Sequence, residues 1–147
     1  GGKKESGSTE TANNTETVQK EEEKKEEKKV TLPVEELPYK FEIKKPDSTG
    51  SVYMDLTFEN KSKFPITYFE IEIHRKDENE KGYFNTSGGT VMPGETSPKI
   101  ESFGPKTGLE TDFEPLKIGY RYVDGDKTFK VDYDPKLNKY EEYEITE

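Results

Sequence analysis

His74 is the only histidine in the chain. It lies close to Glu72 and Arg75 in a run of alternating polar and apolar residues. A general base needs an oriented nucleophile or acid beside it. The sequence holds no Gly-x-Ser-x-Gly elbow, His-Glu-x-x-His pair or Walker loop to supply one. His74 therefore reads as a solvent-facing residue near a strand end. Carboxylates are more plentiful. Glu70/Glu72 and Asp132/Asp134 are close pairs, and two carboxyls roughly 5–10 Å apart can hydrolyse a glycosidic bond. In so acidic a domain such pairs also arise by chance. Asp124 and Asp126 flank Gly125 and offer oxygens to calcium, with Asp132 or Asp134 as further ligands. Calcium takes about six to eight oxygens, and the EF-hand spacing is absent. The competing reading of Asp124-Gly125 is a two-residue hairpin turn.

Tyrosine is the most suggestive residue type. Tyr53, Tyr68, Tyr83, Tyr120, Tyr122, Tyr140 and Tyr143 are too many for one core. Tyrosine combines apolar area with a polar tip and is favoured at interfaces. Tyr53, Tyr68, Tyr120 and Tyr122 are the candidates for an exposed platform that stacks on sugars or seats a peptide. Cross-strand pairing within a sheet is the alternative use of the same rings.

The elements that would position these side chains are strands. Tyr39, Phe41 and Ile43 alternate with charged residues, as do Val52, Met54, Leu56 and Phe58 with Tyr53, Asp55 and Thr57. The same period of two runs through Phe69, Ile71 and Ile73, through Leu116, Ile118, Tyr120 and Tyr122, and through Phe129, Val131 and Tyr133, and the turn Asp134-Pro135-Lys136 predicts a last strand over Tyr140 to Ile145. Each set gives one core face and one wet face, as antiparallel sheets require. The apolar phase shifts between Ile66 and Phe69, which predicts a bulge or strand entry near Tyr68. Gly104 to Asp112 predicts a loop or one short helical turn. Seven or eight such strands, separated by Pro, Gly, Asn and Asp turns, predict an all-β antiparallel β-sandwich.

Composition divides the chain. Residues 1–29 contain two apolar side chains, Ala12 and Val18, and no aromatic. All eight Phe and all nine Tyr lie between Tyr39 and Tyr143. The first 29 residues read as a disordered tether rich in Glu, Lys, Ser and Thr, since nothing there buries enough to offset ordering entropy. Residues 30–147 read as the domain. The tether carries seven Lys and eight Glu, leaving the domain 16 basic side chains (23 less 7) and 24 acidic ones (32 less 8). A field this negative repels phosphate backbones and anionic lipid surfaces, so nucleic acid is not an expected partner. The absence of cysteine excludes thiol catalysis and Cys-ligated metals. No cofactor is expected.

The tether, which starts Gly1-Gly2-Lys3-Lys4 and continues through Ser, Thr, Asn, Glu and Lys, resembles the stretch just after the lipid-bearing cysteine of Gram-positive surface lipoproteins. The middle of the domain resembles the immunoglobulin-like modules of those lipoproteins, including the FxLYD type, over about residues 51–103. The matching residues are Phe58-Glu59-Asn60-Lys61-Ser62, then Ile66 to Ile73, then Val91-Met92-Pro93-Gly94-Glu95-Thr96, without the Phe-x-Leu-Tyr-Asp string itself. The resemblance implies an immunoglobulin-like sandwich. It also implies an extracytoplasmic, cell-surface location through an N-terminal lipid anchor outside this chain, and no catalytic residues to carry over. The expected role is non-enzymatic binding or structural support, with a protein or glycan at the cell surface as partner. A carbohydrate-binding module using exposed Tyr is the alternative, and a glycosidase with paired carboxylates a further one.

Overall fold

The computed structural model describes residues 30–146, and a compact unit begins at Leu32. The tether expected over residues 1–29 lies outside the described residues. Eight strands follow: β1 (Tyr39–Ile43), β2 (Tyr53–Phe58), β3 (Ile66–Arg75), β4 (Glu80–Asn85), β5 (Ile100–Phe103), β6 (Phe113–Asp124), β7 (Lys127–Asp134) and β8 (Lys139–Ile145). They form two antiparallel sheets, ordered β1-β2-β5 and β4-β3-β6-β7-β8. This is the immunoglobulin-like sandwich arrangement, with β8 added beyond the usual last strand.

The core sits between the sheets. Met54, Leu56 and Phe58 from β2 meet Phe69, Ile71 and Ile73 from β3, and all six are buried. Ile118, Tyr120 and Tyr122 of β6 and Val131 of β7 complete it. Phe58 stacks on Phe69 with ring centroids 4.1 Å apart, and Phe41 meets both Phe84 and Phe113 edge-on at 5.2 Å. Burying Phe58, Phe69 and Phe84 stabilises the fold by about 1.5–3 kcal/mol each, and the half-buried Phe41 and Phe113 contribute less.

The bulge expected near Tyr68 is present. Ile66 pairs with Tyr122 while Tyr68 pairs with Arg121, so Thr67 is the extra residue. A second register shift was not foreseen. Glu72 pairs with Lys117 and Ile73 with Pro115, which leaves Leu116 extra. Leu116 is half-buried and not the core residue its place in the apolar alternation implied. Pro115 is accommodated because the shift falls beyond Ile118↔Tyr133, the last pair that β6 makes with β7 at this end. The hairpin between β6 and β7 also differs by one residue from the expected turn. Asp124 pairs with Lys127, so the loop is Gly125-Asp126. Gly125 has φ of +67° and Asp126 is not among the positive-φ residues, the pattern of a type II′ turn. Gly104 to Asp112 is a loop with one 3-10 turn at Glu110–Asp112, as expected.

The segment before β1 closes the core. Leu32 and Leu37 are fully buried. The Tyr120 hydroxyl donates to the Leu32 carbonyl at 2.6 Å, and the Val34 N–H donates to the Tyr140 hydroxyl at 3.0 Å. Lys61 N–H donates to Glu36 O at 2.8 Å, fixing the strap from its other side.

Candidate functional site

The four platform tyrosines do not share a face. Tyr120 and Tyr122 are 0% and 1% exposed, because they follow Ile118 on the core side of β6. Their rings are covered and their hydroxyls are used. Tyr120 holds Leu32, and Tyr122 donates to Glu142 Oε2 at 2.7 Å. Neither can seat a ligand, which corrects that part of the platform. Burial pushes the Tyr120 phenol well above the ordinary tyrosine range, with Tyr140, Glu142 and Glu35 adding to it. Tyr140 is pushed up to about 12, first by burial and then by Glu35, against the Val34 N–H that favours its anion. Tyr53 and Tyr68 stay half-exposed, on different sheets. Tyr53 stacks on its cross-strand neighbour Phe103 at 5.0 Å. Tyr68 donates to Glu70 Oε1 at 2.7 Å, and the Arg121 guanidinium sits 5.4 Å from its ring centroid.

The carboxylates are organised by the outer face of the five-stranded sheet. Glu70, Gly119 and Asp132 are in register across β3, β6 and β7. Gly119 leaves the space that both acids lean into. A Cβ built there would lie 2.6 Å from Glu70 Oε2 and 3.2 Å from Asp132 Oδ1. The structure therefore brings together Glu70 and Asp132, which are remote in sequence. Lys130 lies between them, 2.9 Å from Asp132 Oδ1 and 3.8 Å from Glu70 Oε2. Burial lowers the affinity of the Lys130 ammonium for its proton. The Asp132 hydrogen bond and the charges of Asp132 and Glu70 outweigh this and raise it. Glu72 pairs with Lys81 at 3.2 Å. Asp134 Oδ1 accepts the N–H groups of Lys136 and Leu137, closing the β7–β8 turn.

His74 Nε2 lies 3.0 Å from Asn79 Oδ1, and its Nδ1 is 3.8 Å from Glu114 Oε2. The Asn79 contact spans the β3–β4 turn, where Asn79 has φ of +53°. Asp124 and Asp126 are exposed at the β6–β7 hairpin, and Asp124 is held in the ladder opposite Lys127. Among the described residues no three His, Asp or Glu are grouped to hold a metal ion.

A further feature lies where β4 gives way to the loop before β5. Here the sandwich leaves a cleft of about 360 Å³. Tyr68, Pro98 and Ile100 supply its accessible apolar surface over the buried Phe58 and Ile66, and Thr67, Thr86, Ser87 and Thr90 its hydroxyls. The loop over it is fixed at both feet. Thr86 N–H donates to Phe69 O at 2.9 Å, and Thr86 Oγ1 accepts the Phe69 N–H at 3.1 Å. Val91 and Ile66 exchange N–H···O bonds of 2.8 and 3.0 Å. The fully buried Asn60 side chain donates to Val91 O at 2.9 Å and to Phe64 O at 2.7 Å. Between these anchors run Ser87, Gly88, Gly89 and Thr90. Gly88 and Gly89 have φ of +141° and +82°, conformations that favour glycine. None of the four backbone N–H groups of this arch bonds to another described residue.

The sequence carried two signals for this cleft, the phase shift that becomes the Thr67 bulge and the platform candidate Tyr68, both of which line it. The string Ser-Gly-Gly-Thr reads only as a turn. No family model matches the chain, and no curated protein matches it.

Proposed function

We propose that this chain is a non-enzymatic, extracytoplasmic binding module of the Gram-positive surface-lipoprotein type, presented on an N-terminal tether. One observation carries the preference for binding over catalysis. The side chains with catalytic potential are occupied in ion pairs and turn hydrogen bonds, while an adjoining cleft keeps unspent donors. Glu70 and Asp132 share Lys130, Glu72 is held by Lys81, and Asp134 closes a turn. The surface location is supported by the composition of residues 1–29 and by the resemblance of Phe58 to Ser62 and Val91 to Thr96 to lipoprotein modules. The half-exposed Tyr53–Phe103 stack favours a second reading, a carbohydrate-binding module using that pair.

Fractionation of cells expressing the natural gene tests the location. The protein is expected in the membrane fraction, released by detergent and removed by protease added to intact cells. Recovery in the cytosol, resistant to external protease, would end the surface reading.

A further inference from the structure

We propose that the cleft beneath the Ser87–Thr90 arch seats one uncharged sugar residue of a glycan. This rests on reading the module as a binder, and of the four platform tyrosines Tyr68 lines the cleft. Four observations carry it.

First, the cleft has the size and mixture of a ligand site. Its volume of about 360 Å³ falls within the usual range of roughly 300–1,000 Å³. Second, it differs in chemistry from the rest of the surface. Charged residues make up 37% of the chain, but only Lys99 and Glu101 are among the cleft's lining residues. Glu101 is already bonded to Lys44 at 2.7 Å. An ionic ligand would find little to pair with, whereas an uncharged polar one loses no ion hydration on entry.

Third, the donors match hydroxyl acceptors. Ser87 to Thr90 present four backbone N–H groups with no bond to another described residue, and Thr and Ser side chains line the same cleft. A sugar ring offers hydroxyls around its rim and an apolar C–H face. Tyr68, Pro98 and Ile100, the accessible apolar residues of the lining, provide the surface for that face. Fourth, the arch is fixed before binding. Thr86 is tied to Phe69 at one foot, and Val91 to Ile66 and Asn60 at the other. Less ordering entropy remains to be lost when a ligand arrives. The Thr67 bulge lies against the cleft, a common place for such irregularities.

The test uses the full chain, labelled with nitrogen-15 and titrated with maltotriose, cellotriose and chitotriose in turn. At least one is expected to give saturable amide shifts centred on Ser87 to Thr90. Ser87→Trp, which places a large ring at the mouth, is expected to weaken that binding at least tenfold without changing the melting temperature by more than about 1 °C. Shifts that persist in the variant, or that map to Tyr53 and Phe103, would overturn the proposal. So would silence with all three sugars, or a response at this cleft only to an extended peptide. The surface location is tested separately by fractionation, so a silent titration with a membrane-bound protein rejects the cleft alone.

Discussion

The outer face of the five-stranded sheet and the cleft at its flank are made differently. The face is dense in charge, and its central groups are matched to one another. Tyr68 bonds Glu70, Lys130 bridges Glu70 and Asp132, and Lys81 holds Glu72. The cleft has little charge, yet four adjacent N–H groups above it have no partner among the described residues. The face has spent its polar groups on one another, whereas the arch holds donors that no described residue uses.

The largest expected effect breaks the cleft. Asn60 is fully buried, and its amide donates to Phe64 and Val91 while its Oδ1 accepts the Ser62 N–H and hydroxyl. Asn60→Ala would remove four buried hydrogen bonds and leave the Ser62 N–H without its acceptor, at a cost of about 3 kcal/mol in urea unfolding. The Ser87–Thr90 amides should shift with it, since Val91 loses an anchor. A change under about 1 kcal/mol would show that the arch does not depend on Asn60.

A smaller effect is expected on the charged face. Lys130→Met keeps the aliphatic packing but leaves Glu70 and Asp132 facing each other across Gly119. The expected loss is about 1–2 kcal/mol, above that of an exposed pair because the Lys130 side chain is only 12% exposed. The cleft amides should not move. If they do, the two regions are coupled and the comparison fails.

A third effect is expected in alkali. Tyr120 and Tyr140 hold the strap before β1 as neutral phenols, and both titrate above the ordinary tyrosine value of 10. Their contribution is present in full below pH 10 and is lost as pH rises through about 12, where Tyr140 ionises. Melting temperature should fall over that window, in step with phenolate absorbance. A flat profile would show that the strap does not rest on these phenols.

Much of the fold was legible because the strands have one wet face each. β1, β2, β3 and β7 announce themselves by period-two alternation, and β8 by the turn that precedes it. β4 does not, since its buried positions are Gly82 and Phe84, and a glycine carries no apolar signal. The Thr67 bulge was legible because it breaks the apolar phase. The Leu116 bulge was hidden because Leu116, Ile118, Tyr120 and Tyr122 keep an unbroken alternation through it. Placing Tyr120 and Tyr122 on that core-facing row and also on a platform was inconsistent, and burial decides for the core. The Glu70–Asp132 approach depends on β6 standing between β3 and β7 with a glycine at the crossing point. The cleft depends on a loop anchored by residues far away in sequence. Neither arrangement has a local pattern to read.

The most direct test concerns the arch itself. Hydrogen exchange and nitrogen-15 relaxation are measured at Ser87, Gly88, Gly89 and Thr90 in the free protein. Fixed feet and unspent donors together require fast exchange with order parameters near 0.85, the value of rigid backbone. Order parameters below about 0.6 would mean a floppy loop, and strong exchange protection would mean donors already bonded. Either result would contradict a preformed site.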